Sequence, residues 1–140
     1  MEIRLATFAD YKRIAIALRN KAIEYITPAH AREDIARGQL YLIAEGNTII
    51  GQCALVYEPC YQYYAIKRLT IYNQRNCGRG IAQQFISFFY GMNLPALGCT
   101  PWTNNARMRH LLEKNGFSHQ YTFLGCYEFY KKVLDKQINV

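Results

Sequence analysis

The sequence predicts an α/β layer fold built on a mixed sheet. Three observations lead there. Short runs rich in β-branched and aromatic residues alternate with stretches whose apolar residues recur at helical spacing. The resulting order, β-α-α-β-β-β-α-β-α-β-β, is the pattern of helices layered on a sheet. No linker, repeat or low-complexity segment interrupts the 140 residues, so one domain spanning 1–140 is expected.

Residues 3–5 form a short strand candidate, followed by a capping-box pattern in which the Thr7 hydroxyl and Asp10 carboxylate can take up free N–H groups. The helix it opens shows Ile14, Ala17 and Leu18 on one face. A second helix has Thr27 as cap, Pro28 in its first turn, Ile35 inside and Gly38 as its stop. Residues 40–44 and 48–57 read as a hairpin around Glu45-Gly46-Asn47. Residues 63–72 form a strand rich in aromatic and β-branched side chains. Ile81, Phe85, Phe88 and Phe89 then recur at helical spacing, and 95–100 is a short strand. Asn104 or Asn105 caps a helix carrying Met108, Leu111 and Leu112, which Gly116 ends. Strands at 120–124 and 126–133 complete the chain.

Composition narrows the function classes. Hydrophobic residues make up 51% of the chain, which argues against disorder. No apolar run approaches the roughly 20 residues of a membrane span. The charged opening MEIRLATFADYKR does not read as an export signal, so a cytoplasmic location is expected. Five cysteines without a CxxC pair suit reduced, mostly buried thiols, and no metal is expected. Lys and Arg total 17 against 10 Asp and Glu, a net +7. Between Pro59 and Leu112 there is no acid, while Lys67, Arg68, Arg75, Arg79, Arg107 and Arg109 all fall there. Such a one-signed stretch attracts anions, or forms a solvated basic face.

Within it lies NQRNCGRGIAQQF, where Gly-Arg-Gly stands between a strand and a helix. A helix start leaves backbone N–H groups unpartnered and carries about half a positive charge. Gly78 and Gly80 clear side chains from that end, and Arg75 and Arg79 add permanent charge, which makes a phosphate cradle. It is not a nucleotide fingerprint of either common kind: GxxxxGK[ST] is absent, and Gln83 stands where GxGxxG needs its last Gly.

The segment resembles the acyl-CoA-binding signature [QR]xxGx[GA] of the GNAT superfamily of N-acetyltransferases. Two registers fit, one from Arg75 to Gly80 and one from Cys77 to Ala82, the second placing Cys77 where the family has Arg or Gln. Ile3-Arg4-Leu5-Ala6-Thr7 with Asp10 is similar to the family's opening IRxAT..D, and Ile49-Ile50-Gly51 to its VG strand. NARMRHLLEKNGF resembles the closing signature NxxAxxLYEKxGF through Asn105, Leu111, Glu113, Lys114, Gly116 and Phe117. The resemblance implies a mostly antiparallel central sheet flanked by helices, with a V-shaped opening between two middle strands. In that opening acetyl-CoA, or another acyl-CoA, would rest its diphosphate on the loop of Arg75, Cys77, Gly78, Arg79, Gly80, Ile81 and Ala82. Its pantetheine would pair with Leu69, Thr70 and Ile71, with Asn105 also placed at the cofactor. The reaction implied is direct attack by a primary amine, small or on a peptide or protein.

Leu112 stands where the family commonly has an acid Tyr. His110, Cys99, Tyr127 and Tyr130 are substitutes, with Tyr90 and Tyr72 behind them. No carboxylate lies on the fourth strand, where Lys67 and Arg68 stand instead, so Glu45, Glu58 or a water chain is left as base. Glu58, His110 and Tyr127 are the catalytic candidates. The basic pair argues for a neutral or anionic acceptor, and Trp102 either walls its pocket or packs. Two rival readings stand beside this one. Tyr61, Tyr63, Tyr64, Lys67 and Arg68 could form a nucleic-acid stacking platform, or the chain could bind acyl-CoA without turnover. A homodimer is implied by the resemblance alone.

Overall fold

A computed structural model describes residues 1–21 and 25–134. Two compact units share it, Met1–Leu55 with Arg68–Phe88, and Val56–Lys67 with the chain from Phe89 onward. The first holds β1 (Glu2–Leu5), α1 (Tyr11–Lys21), α2 (Pro28–Ala36), β2 (Leu40–Glu45) and most of β3 (Thr48–Glu58). It also takes the second half of β4 (Tyr63–Ile71) and most of α3 (Ile81–Tyr90). The second holds the first half of β4, then β5 (Ala96–Cys99), α4 (Ala106–Lys114), β6 (Ser118–Phe123) and β7 (Tyr127–Val133). The seven strands form one sheet ordered β1-β2-β3-β4-β5-β7-β6. Its pairs β1/β2, β2/β3, β5/β7 and β6/β7 are antiparallel, and β4/β5 is parallel. This is the mixed sheet that the element order predicts, with the mostly antiparallel pairing that the resemblance implies.

The start of α1 differs from the expected capping box. Asp10 accepts the Thr7 N–H at 2.8 Å, but the Thr7 hydroxyl turns to the same carboxylate at 3.4 Å. Arg4 and Arg13 also bond Asp10, at 2.9 and 3.1 Å, so the carboxylate ties β1 to α1. The Arg4 bond, with the Thr7 N–H behind it, holds that carboxyl well below the usual range. At α2 the expectation stands: the Thr27 hydroxyl accepts the His30 N–H at 3.3 Å, and Pro28 is the first helical residue.

Helical spacing names most of the core. Ile14 and Leu18 of α1, Ile35 of α2 and Phe85 of α3 are buried in the first unit. Ala15 is buried where Ala17 was expected, and Ile86 where Phe88 was expected; Phe88 lies at the rim, with its ring 5.7 Å from that of Tyr41. In the second unit Leu97, Leu112 and Tyr130 are wholly enclosed. Each large apolar side chain so buried contributes about 1.5–3 kcal/mol.

One polar chain positions the turn that follows β4 in the first unit. Asp34, 2% exposed, receives Arg68 at two contacts of 2.7 Å each and Gln39 at 2.8 Å. Arg68 lies mid-strand with φ 52°, a left-handed value that costs a non-glycine residue energy. Its carbonyl accepts Gln52 Nε2 at 3.3 Å and the Thr70 hydroxyl at 3.2 Å. Gln52 Oε1 in turn receives the Tyr72 hydroxyl at 2.8 Å, where β4 gives way to the next turn.

Removing one partner of a buried pair strands the other charge. Asp34→Ala is therefore expected to lower unfolding free energy by about 3 kcal/mol in urea titrations. Adding Arg68→Ala should restore part of that loss; a single-variant cost below about 1 kcal/mol, typical of an exposed pair, would contradict this account.

Candidate functional site

After β4 the chain makes a 3-10 turn, Gln74–Asn76, whose cap Asn73 accepts the Arg75 N–H on Oδ1 at 3.1 Å. Gly78 and Gly80 follow with φ of 85° and 73°, values that side chains other than glycine rarely adopt. No heavy atom lies within 4 Å of where their Cβ atoms would stand, so the end of α3 is bare. The first bond into α3 runs from the Gln84 N–H to the Gly80 carbonyl at 3.0 Å. The amides of Gly80, Ile81 and Ala82 precede it and have no helical acceptor. Arg79 is different, because its N–H turns back to the Asn76 carbonyl at 3.4 Å. The open donors are thus a subset of the run that the glycine pattern picks out.

The two arginines of this turn behave unlike each other. Arg75 is exposed. Arg79 reaches Glu45 at 2.9 and 3.3 Å and Asn76 Oδ1 at 2.8 Å. The Arg79 bond lowers the Glu45 carboxyl pKa, and Glu45 is committed to that ion pair instead of standing ready as a base. Glu45, Thr48, Ile50, Arg75, Asn76 and Arg79 line a pocket of about 380 Å³. Two guanidiniums against one carboxylate leave it net positive, suited to an anion.

The charges of β4 do not act as expected. Lys67 pairs with Glu58 at 3.3 Å, and Arg68 is held by Asp34. The argument that an unpaired basic pair repels cationic acceptors therefore lapses. Both cations have carboxylate partners brought in from β3 and α2.

In the second unit Asn105 caps α4, its Oδ1 accepting the Met108 N–H at 3.1 Å. Leu112 is fully enclosed and serves the core. Three of the substitute hydroxyls, those of Tyr72, Tyr90 and Tyr130, are occupied. Tyr130 accepts from Arg109 Nε at 3.2 Å and donates to Glu113 at 2.9 Å. Tyr90 donates to the Asn115 carbonyl at 2.7 Å. Burial pushes the Cys99 thiol up to about 12 and raises the Tyr72 and Tyr90 phenols as well. Of the three catalytic candidates, Glu58 faces Lys67, His110 is exposed on α4, and Tyr127 is half-buried. The Tyr127 ring packs between Trp102 at 4.6 Å and Phe123 at 5.2 Å, so Trp102 has a packing partner while remaining 43% exposed.

A buried carboxylate escaped the sequence reading. Glu128 is 4% exposed and accepts bonds of 2.6 Å each from Thr103, Thr122 and His119. The threonine hydroxyls, Thr103 foremost, hold it down from 4.5 to about 2. Register sets Glu128 on the face of Tyr130, opposite Tyr127 and Phe129, and nothing in the local sequence marks that face as buried. Among the described residues no group of three or more His, Cys, Asp or Glu could hold a metal ion. Among them, too, no helix is long and apolar enough to cross a membrane.

A group whose folded pKa is depressed stabilises the fold above its unfolded value and loses that contribution as pH falls. Wild-type stability is expected to drop between pH 4.5 and about 2 in part through Glu128. Glu128→Gln should then melt lower than wild type at pH 7, with the gap narrowing toward pH 3; a constant gap would refute this.

The chain has the fold of the GNAT acetyltransferases. It superposes on a GNAT-family acetyltransferase from Streptococcus agalactiae with a TM-score of 0.78 at 21% identity, covering 94% of each chain. Ard1 from Thermoplasma volcanium gives 0.77 at 13%, covering 95% of this chain and 97% of that one. A spermidine N-acetyltransferase SpeG chimera from Vibrio cholerae and hSSAT gives 0.73 at 14%, covering 97% and 98%. At these identities the likeness is one of fold. No protein-family model matches the chain, and no curated protein matches it.

Proposed function

We propose that the chain is an acyl-CoA-dependent N-acetyltransferase acting on a primary amine. The observation that carries this reading is the Gly78–Arg79–Gly80 turn, which bares the first amides of α3 directly after β4. The diphosphate of acetyl-CoA would take those amides of Gly80, Ile81 and Ala82, with Gly78, Cys77 and Arg75 around it and Arg79 exchanging Glu45 for phosphate. The pantetheine would run along Leu69, Thr70 and Ile71, where β4 continues past its last pair with β5, Ile66 with Cys99. Asn105 would contribute at the start of α4, in addition to capping it. The fold shared with acetyltransferases supports the reading.

In the reaction the amine nitrogen attacks the thioester carbonyl. A C–N bond forms, the C–S bond breaks, the nitrogen gives up a proton and the thiolate takes one. Positioning is the protein's main contribution. With Glu58 held by Lys67, the nitrogen's proton passes to water, and His110 or Tyr127 is left to serve the thiolate. One observation favours a second reading, binding without turnover: Leu112 is enclosed and the Tyr90 and Tyr130 hydroxyls are already bonded.

Coenzyme A at a hundred times its Kd should stabilise the fold by about 2.7 kcal/mol, read as a rise in melting temperature, while pantetheine alone should not. Gly80→Val should abolish that rise; no rise in the wild type at millimolar coenzyme would overturn the proposal. In thiol-release assays over an amine panel, Glu58→Gln is expected to keep kcat within about tenfold, since a true base is worth roughly a hundredfold or more. A larger loss would restore Glu58 as the base, and binding with no turnover of any amine would favour the second reading.

A further inference from the structure

The diphosphate reading above uses backbone amides, whereas the pocket beside them is lined by side chains. That pocket is built wholly within the first unit, from the end of β2, the start of β3 and the turn after β4. Topology gives it a side. In the sheet β4 lies between β3 and β5. The Tyr72 N–H bonds the Ile50 carbonyl at 2.8 Å, so the chain leaving β4 still runs along the start of β3. Thr48 and Ile50 of that strand line the pocket, with Arg75, Asn76 and Arg79 of the turn. The pantetheine path takes the other edge of β4, which pairs with β5 only as far as Ile66. The pocket therefore stands on the β3 side of the turn, away from that path.

Its donors are not spent. Arg75 is exposed, and no described residue pairs its guanidinium. Arg79 commits three of its five N–H donors, two to Glu45 and one to Asn76, and keeps two. The Thr48 hydroxyl, also exposed, has no partner among the described residues. Glu45 is the only carboxylate lining the pocket, and Arg79 already neutralises it. Arg75 is thus the charge left for a ligand. Guanidiniums take phosphate through paired N–H bonds, and a phosphate monoester carries about −1.5 to −2 at pH 7 where a carboxylate carries −1. Buried Ile50 gives an apolar wall, and a volume of 380 Å³ falls within the roughly 300–1,000 Å³ of small-molecule sites. There is room for the group that bears the phosphate.

We propose that this pocket is a phosphate-monoester site, separate from the amides that take the diphosphate, with Arg75 as its principal cation. Two sources carry that chemistry. One is the ribose 3′-phosphate of coenzyme A itself, which lies beyond the diphosphate from the pantetheine and would reach the β3 side of the turn. The other is a free sugar or nucleoside phosphate. The first source rests on the acyl-transfer reading; the site as such does not.

Calorimetric titration with coenzyme A, dephospho-coenzyme A, adenosine 3′-monophosphate and adenosine tests this. With the coenzyme as source, it should bind at least about tenfold tighter than its dephospho form, and the monophosphate should compete with it. With a free source, the two coenzymes should bind alike. Adenosine 3′-monophosphate should then raise the melting temperature where adenosine does not, its shift adding to that of the coenzyme. In either case Arg75→Ala should erase the preference for the phosphorylated member of the pair. Arg75→Lys, a point charge without the paired donors, should keep part of it. Thr48→Glu, which sets a carboxylate at the exposed start of β3, should act like Arg75→Ala. Both positions are exposed, so the free variants should melt like wild type. A preference that survives Arg75→Ala and Thr48→Glu overturns the proposal. Should neither coenzyme bind while adenosine 3′-monophosphate does, the acyl-transfer reading falls and the pocket stands. Should both coenzymes bind equally and the monophosphate no better than adenosine, the pocket falls and the acyl-transfer reading stands.

Discussion

Arg68 sits mid-strand in a left-handed conformation, and a buried carboxylate 34 residues away in sequence holds it there. Neither half is comfortable alone. An unpaired Asp34 inside the first unit would bear a desolvation cost of several kcal/mol, and an arginine with positive φ has no local reason to persist. Together they fix α2 to β4 by a two-pronged contact. The strain at Arg68 turns its carbonyl toward Gln52, and Gln52 then anchors Tyr72. The Tyr72 N–H bonds the Ile50 carbonyl at 2.8 Å, so the residue that opens the glycine turn is held from both its side chain and its backbone. A loop with two glycines would otherwise have little to set its direction.

The same distance-spanning logic governs the charge. An acid-free run of the sequence suggests a strong, uncompensated positive field. In the fold, carboxylates from elsewhere enter it: Asp34 takes Arg68, Glu45 takes Arg79 and Glu58 takes Lys67. What remains at the turn is Arg75 and the backbone donors. An anion held there would rest on amides more than on side-chain charge, and amides neither titrate nor lose a partner to a single substitution.

How much of this the chain discloses depends on range. Thr27-Pro28, Asn105 and the strand-to-helix glycines are local signals, governed by residues within one turn, and each is where it was expected. Helical periodicity located the faces but not their edges, which is why Ile86 and Phe88 exchanged places in the core. The Asp34–Arg68 pair, the Glu45–Arg79 pair and the Glu128 cluster could not be read, because each closes over a loop of chain whose length says nothing about its partners. Leu112 was legible as a departure. Its meaning was not, until Tyr130 could be seen bridging Arg109 and Glu113 across the same helix.

Arg79 already has an anion. On the reading proposed above, a diphosphate arriving at the turn would displace a carboxylate that belongs to the protein, so much of the attraction would go into exchange rather than new contact. Such a swap releases few solvent counterions, and association at this turn would depend only gently on ionic strength. The resident Glu45 would thereby favour ligands with two phosphate charges over those with a single weak anion, by the modest margin of an exposed ion pair.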